Sequence, residues 1–461
     1  MITTMNRRRF LKSSAMAGVA ATGLPLLGPA SLLAHPGAPG PNSRIGVGCI
    51  GVGPQGRGVM GNFLAQADCR VLAVCDVSGR NLEAARKMVN EKYGDGGCAV
   101  TSEYRELLGR KDIDVVLIAT PDHWHVPVAV AAARAGKDMY VEKPLGLSIE
   151  EDQRLRRVCQ GEKRIFQFGT QQRSQSQFRQ ACELVRSGRI GALRQINVWC
   201  SASHPGGSTK PVPAPADLKY DLWLGPAPEA PYTDGKAYDN DPAGTWKTWW
   251  FNYDYALGFI AGWGVHPLDI AYWGHPAMMK GVLEVEGRAV IPAEGACNTS
   301  VAWDVNFRFA DGVRMTYRGV RNGYEPVTPM NDLTPWEKRY GRAIDHGTAF
   351  EGTDGWVLVD RGAIRAFPES LLEEKAVSGA GALPRSNNHV RNLLDAVRSR
   401  QPAICPIEDT VQADILCHLS DIATREPRLL RWNPGKEEFV GDAAANRRLK
   451  MRPVRKGWQW A

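Results

Sequence analysis

The sequence predicts an N-terminal α/β domain with a doubly wound parallel sheet, followed by an α+β domain whose open sheet is mostly antiparallel. Three observations carry this expectation. From Arg44 to Phe168, short apolar runs alternate with helical segments, the βαβ pattern of a parallel sheet. Beyond Gly191, strand-like runs follow one another with few helices between them, as in an antiparallel sheet. A chain of 461 residues is also too long for one ordinary core.

The strands of the first domain are expected at Ile45–Ile50, Arg70–Cys75, Val115–Ala119, Asp138–Val141 and Ile165–Phe168, because each is a short apolar run bounded by turn residues. Helices are expected between them, at Arg57–Gln66, Arg80–Lys92, Val126–Ala135 and Ile149–Gln160. In the second domain, alternating strands are expected at Leu193–Cys200, Val282–Val290, Val301–Phe309 and Arg314–Gly319. The stretch from Ser203 to Tyr255 is long, aromatic and rich in Pro and Gly, which suits a functional or subunit-contacting excursion. Two late helices, Asn388–Ser399 and Glu408–Thr424, are placed to return towards the first domain from residues 386–424. These features give a first domain over 44–170, a second over 171–430 and a basic tail over 431–461.

The N-terminus reads as an export signal. Asn6-Arg7-Arg8-Arg9-Phe10-Leu11-Lys12 precedes a mostly apolar stretch to Ala34, interrupted by Gly18, Gly23, Pro25, Gly28 and Pro29. That pattern predicts a twin-arginine signal over 1–34 and a linker over 35–43, with the interruptions arguing against a stable membrane anchor. The twin-arginine export machinery is therefore an expected partner, and the expected location is periplasmic or secreted. Of the formal net charge of +8, four positive charges lie in residues 1–34 and six in the last eighteen residues. The body between them carries a small negative charge, which excludes a nucleic-acid role. Ten cysteines are scattered without a CxxC pair, so neither a zinc site nor a disulfide framework is expected.

Chemistry enters at Gly51-Val52-Gly53-Pro54-Gln55-Gly56, which follows the apolar run Ile45–Ile50 and precedes a helix. Gly51 permits the tight turn, Gly53 lets a pyrophosphate approach the backbone, and Gly56 lets helix and strand pack closely; Pro54 and Gln55 lie in the same cradle. Asp76, twenty residues past Gly56, is placed to accept hydrogen bonds from ribose hydroxyls and to repel a 2′-phosphate, favouring NAD over NADP. Arg80 lies close enough to soften that preference. The first domain is thus read as Rossmann-like.

Three further motifs fall at strand ends or far downstream: Thr120-Pro121-Asp122-His123-Trp124-His125, Glu142-Lys143-Pro144, and Gly262-Trp263-Gly264-Val265-His266-Pro267-Leu268-Asp269. Together with the glycine turn, and with Gly188-Arg189-Ile190-Gly191 at the domain crossover, they resemble the glucose–fructose oxidoreductase / inositol dehydrogenase (Gfo/Idh/MocA) family. The resemblance covers most of the chain after the signal, and the histidine-rich motifs resemble an exported branch. It implies an NAD(P)-dependent oxidoreductase acting on CH–OH groups of a sugar, polyol or glycoside, and a homo-oligomer.

On that reading Lys143 hydrogen-bonds the substrate oxygen and stabilises developing alkoxide charge, while His266 is the better-matched proton acceptor. Asp269, one helical turn on, is placed to orient His266 or to bind a substrate hydroxyl. Thr120, Pro121, His123, His125 and Glu142 fall on the cofactor side. Many family members carry an aspartate where this chain has Gly262, and Trp263 beside it offers a ring face for a sugar. Arg173 is a candidate for sugar hydroxyls or a carboxylate. Trp246, Trp249, Trp250, Tyr253 and Tyr255 form an aromatic group suited to pyranose faces. Two rival functions accompany the dehydrogenase. One is a glycosidase-like enzyme that uses tightly bound NAD as a recycled oxidant; the other is a non-catalytic sugar-binding or assembly protein.

Overall fold

The computed structural model of the chain describes residues 44–238, 248–320, 329–373 and 379–460. The expected export signal, the linker after it and Trp246 lie outside the described residues. Among the described residues no helix is long and apolar enough to cross a membrane.

The first sheet contains β1 (Ile45–Ile50), β2 (Cys69–Cys75), β3 (Ala99–Thr101), β4 (Val115–Ile118), β5 (Asp138–Val141) and β6 (Phe166–Phe168). Its spatial order is β3-β2-β1-β4-β5-β6, and every pairing is parallel. The chain builds outward from β1 to β3 and then crosses to β4, so the order reverses between β1 and β4. A crevice at the carboxyl ends of those two strands is where such a sheet takes its ligands. Strands β1 and β4 are buried along their whole lengths, which explains their unbroken apolar runs. Strand β3 and the short helix Tyr104–Leu108 were not expected, because three residues of edge strand leave too little pattern to read.

The second sheet contains β7 (Leu193–Ser201), β8 (Leu283–Val290), β9 (Ala302–Arg308), β10 (Arg314–Val320), β11 (His346–Gly352), β12 (Trp356–Val359), β13 (Ile364–Phe367), β14 (Leu430–Asn433) and β15 (Glu438–Phe439). The order is β13-β12-β11-β7-β10-β9-β8-β14-β15. Only β7 and β10 pair in parallel among the pairings given; the rest are antiparallel, as the alternating sequence pattern implied.

The helix His389–Ser399 packs into the core of the first domain: Val390, Leu393 and Leu394 share a buried cluster with Val47, Phe63 and Val71. Ion pairs from Arg391 and Arg398 to Asp68 fasten it there. The helix Ile407–Arg425 runs between the two domains, against β8, the helix Val265–Gly274 and the helix Ile149–Gly161.

Residues 431–461 are not the basic tail that their charge suggested. Trp432 and Phe439 are buried at the sheet edge, and Trp458 and Trp460 pack against the main core. Arg448 and Arg455, counted as tail charge, are paired with Glu426 and Asp221. The buried aromatic side chains supply the apolar area that holds the segment down.

Candidate functional site

Strand β1 ends at Ile50, and Gly51 turns the chain with φ of +79°. A Cβ at Gly51 would lie 2.5 Å from the backbone of Ala119, the residue that follows β4. The two central strands thus leave the sheet side by side at the reversal point. The helix Pro54–Leu64 begins there, with Gly53 as its N-cap, Pro54 at its first position and no side-chain cap. Its first-turn N–H groups have no acceptor within the helix, which suits an anionic ligand. Gly53 faces open space: a Cβ there would meet only Asn81 Nδ2, at 3.8 Å. Gly56 is the opposite case, since its Cβ would come within 2.0 Å of the Gly51 carbonyl oxygen. Gly56→Ala should therefore push the helix off the turn, lowering stability by about 1–3 kcal/mol. Nucleotide content after purification, read beside a melting curve, checks this; an alanine variant that keeps both would refute the packing argument.

A cavity of about 410 Å³ opens over this turn. Gly51, Gly53, Pro54, Gln55, Gly56 and Asp76 line one part of it, and Thr120, Pro121, His125, Glu142 and Lys143 line another. Asp76, at the end of β2, accepts from the Val52 N–H at 2.8 Å and the Ser78 N–H at 2.9 Å, which fixes its carboxylate beside the glycine turn. These donors and walls fit a dinucleotide: open backbone at Gly53 for the pyrophosphate, an anchored carboxylate for a ribose, and an enclosed polar end at Lys143.

Lys143 follows β5 and is held from several sides. Its Nζ donates to the Gly262 carbonyl oxygen at 3.2 Å and lies 5.4 Å from the centre of the Trp250 ring. Glu142 accepts from Gln55 Nε2 at 3.0 Å and from the Lys143 N–H at 3.4 Å, tying the lysine to the cradle. Beneath the loop, the Leu145 N–H donates to Asp414 and the Leu147 N–H to Glu151, while His125 Nδ1 meets the Pro144 carbonyl at 2.7 Å. Asp414 in turn flanks His418 together with Asp152, at 3.3 and 3.2 Å. Burial opposes the charge on His418, yet the two carboxylates raise its pKa to about 10. At Gly262, where an aspartate was noted as missing, the backbone carbonyl takes the lysine. Among the described residues no carboxylate forms an ion pair with Lys143.

Several expected site residues are engaged elsewhere. Arg80 pairs with Asp217 at 3.0 Å and lies over Tyr238, so its charge is spent outside the cavity wall. His123 is buried against Trp223 and Tyr255, with Nε2 2.9 Å from the Trp223 carbonyl, and it packs rather than binds. Arg173 and Asp269 hold each other through bonds of 2.6 and 2.9 Å, both almost fully buried, with Asp409 completing the group at 2.7 Å. This pairing corrects two expectations: Asp269 does not orient His266, and Arg173 does not reach for a sugar. Trp263 offers no free face, because His346 stacks on it and the Arg361 guanidinium lies 4.5 Å from its centre. Of the aromatic group, Trp249 and Trp250 line the cavity, Tyr255 is core, and Tyr253 bonds Asp421 at 2.8 Å.

His266 is buried and does not line the cavity, but it touches the edge of Trp263 at 5.1 Å between ring centres. Burial, then the positive charges of Arg361 and Lys143, hold its pKa well below the ordinary histidine value. It is therefore a neutral imidazole at neutral pH, able to accept a proton. Burial likewise depresses His123 to about 4. An unfolded chain takes up that proton first, so the stability contributed by neutral His123 is lost as pH falls below the unfolded value towards 4. A His123→Gln variant keeps a donor for Trp223 and removes the titration. The gap between wild type and variant should therefore change by up to about 1.4 kcal/mol per pH unit in this window, read by urea unfolding. A constant gap would mean that His123 is protonated in the folded state.

Other cavity walls were missed. Tyr238, Trp223 and Leu218 come from the long excursion, and Trp458 from the C-terminal segment. The unusual tryptophans at 458 and 460, within a run of cationic residues, were the available signal. Asp122 was quoted within its motif but given no role. It lines the cavity, its Oδ2 has no hydrogen-bond partner among the described residues, and burial, partly offset by Lys143, raises its pKa to about 8.

Residues 45–170 match the description "Oxidoreductase family, NAD-binding Rossmann fold" and residues 192–326 match "Oxidoreductase family, C-terminal alpha/beta domain", the two domains of GFO_IDH_MocA. Together they cover more than half of the chain. A glycosyl hydrolase family 109 protein of Shewanella pealeana is 33% identical over 161 residues, 32% of this chain and 35% of that protein. The chain thus spans about a third of the length of such curated relatives. Two solved structures share the fold. GenD2 from gentamicin A biosynthesis, in complex with NAD, has a TM-score of 0.59 at 19% identity, covering 85% of this chain and 97% of its own. Aldose-aldose oxidoreductase from Caulobacter crescentus, complexed with glycerol, has a TM-score of 0.59 at 18% identity, covering 84% of this chain and 99% of its own.

Proposed function

Because the chain belongs to the Gfo/Idh/MocA oxidoreductase family, we propose that it moves hydride between NAD and a carbon bearing a secondary hydroxyl on a sugar, polyol or glycoside. One observation carries the reading: the glycine turn and Lys143, remote in sequence, line the same cavity. When bound, NAD supplies a hydride acceptor at that site.

The chain's own residues do the rest. Lys143 donates a hydrogen bond to the substrate oxygen and stabilises the charge that grows on it as the carbon is oxidised. Neutral His266 receives the hydroxyl proton, for which the burial and the flanking cations described above keep it ready. Trp249 and Trp250 wall the lysine from bulk water, strengthening its field at the reacting oxygen. Asp76 favours NAD over NADP, since its carboxylate repels a 2′-phosphate and Arg80 is already neutralised by Asp217. Export by the twin-arginine route belongs to this proposal: a chain folded before transport would carry NAD with it and retain it.

A second reading is favoured by the curated relatives named as glycosyl hydrolases. Oxidation next to an acidic C–H allows a base to remove that proton and the glycosidic oxygen to leave. Water then adds to the alkene, and the hydride returns to the ketone, so no net redox change results. Acid release of nucleotide from the purified protein tests what the two readings share; absence of NAD, with none loaded on refolding, defeats both. With NAD present, incubation with glycosides separates them. Accumulating reduced nicotinamide supports the dehydrogenase, and aglycone release without it supports recycling.

A further inference from the structure

Next to His266, on the turn between β12 and β13, Arg361 carries a charge that the fold does not compensate. Its guanidinium lies 4.5 Å from the centre of the Trp263 ring, and Trp263 meets His266 edge-on. The Arg361 N–H donates to His346 Nε2 at 3.1 Å and its carbonyl accepts from Gln177, so the backbone beneath the side chain is fixed.

The acids around it are already used. Asp360, its chain neighbour, is buried and bound by Arg342 at 2.6 Å and by the N–H groups of Gly362 and Ala363. Asp345 accepts from His346 Nδ1 at 2.9 Å. Glu142 is held by Gln55 and by the Lys143 N–H. Asp345 and Glu142 are the carboxylates whose charge reaches Arg361, yet among the described residues none bonds it or forms an ion pair with it. Arg361 is also exposed, unlike His266 and His346, so it can meet a solute. The charge of Arg361 falls on His266, as does that of Lys143. Two cations therefore flank the neutral imidazole proposed as proton acceptor.

A planar guanidinium seated on an indole, open on its donor edge, is suited to a planar carboxylate. A neutral sugar would leave two positive charges beside His266 and no anion to balance them. We propose that Arg361 forms an anionic subsite which selects substrates carrying a carboxylate, such as hexuronic acids and their glycosides, over neutral sugars. This rests on the sugar-oxidoreductase reading for its place next to the reacting carbon, but binding can be measured without turnover.

The test uses the full-length protein with its nucleotide. Calorimetric titrations compare paired methyl hexuronides and methyl hexosides of the gluco and galacto series, with a sulfated hexoside as a third arm. At least one uronide should bind about tenfold or more tighter than its neutral partner at low salt. Arg361→Gln should bring the pair to within about twofold, and Arg361→Lys should restore part of the preference. Equal melting temperature and nucleotide content in the variants separate loss of the subsite from loss of the fold. Equal binding of uronide and neutral sugar overturns the proposal, as does a preference that survives Arg361→Gln. A sulfated hexoside that binds as tightly as the uronide overturns the carboxylate assignment. A uronide preference without turnover or nicotinamide reduction would uphold the subsite and defeat the oxidoreductase reading, whereas Lys143-dependent turnover without that preference would do the reverse.

Discussion

Replacing Lys143 by methionine should lower kcat by roughly a thousandfold or more, while the protein keeps its fold and its nucleotide. Methionine preserves most of the aliphatic stem and removes the ammonium. The groups that shape the loop do not depend on that ammonium: Leu145 and Leu147 are held by Asp414 and Glu151, and Pro144 by His125. The only bond lost within the protein is the one to the Gly262 carbonyl. The effect should therefore fall on the chemical step. Single-turnover rates, nucleotide content and melting temperature read the three quantities separately. Turnover above about a tenth of wild type would remove Lys143 from the mechanism, because a group that stabilises growing alkoxide charge contributes several kcal/mol.

The second large effect concerns stability. Arg173→Met or Asp269→Leu should each cost about 3–5 kcal/mol, since either leaves an unpaired charge in a buried site. The remaining partner can call only on Asp409 or the Ile404 carbonyl in the first case, and on nothing charged in the second. The double variant should recover much of the loss, because the buried pair itself contributes little net stability. Urea unfolding of the three variants measures the coupling. Additive losses would show that the two residues act separately, and a substrate-specific loss of affinity with unchanged stability would return Arg173 to the binding site.

The parts of the site that the sequence displayed are those whose logic is local. Gly51, Gly53 and Gly56 follow a strand, open a helix and precede an acid at the end of the next strand, all within a short stretch. Lys143 was legible for a similar reason, as a cation at a strand end in an open α/β sheet. Arg173 and Asp269 were misread because the partner of each lies 96 positions away, and nothing local distinguishes a buried ion pair from a binding pair. His123 and His125 look alike in the motif, yet one faces Trp223 and the other the cavity. The difference is set by which side of the helix Asp122–Arg134 the excursion covers. Strands β11 to β13 went unread for a different reason: Gly347, Gly352 and Gly355 interrupt their alternation and let large side chains such as Trp199 approach the backbone.

The return of the helix His389–Ser399 to the first sheet has a consequence for the order of events during synthesis. Val47, Phe63 and Val71 emerge early, but Leu393 and Leu394, which cover the same face, arrive some three hundred residues later. Until then the nascent parallel sheet presents apolar surface to solvent, and closing so long a loop makes its completion slow and exposed to aggregation. A fragment ending at residue 170 would keep every glycine of the cradle and still lack the cover for its own core. The nucleotide-binding half is thus not an autonomous module. Its maturation waits for nearly the whole chain, and any nucleotide held in the finished cavity is captured at the end of folding.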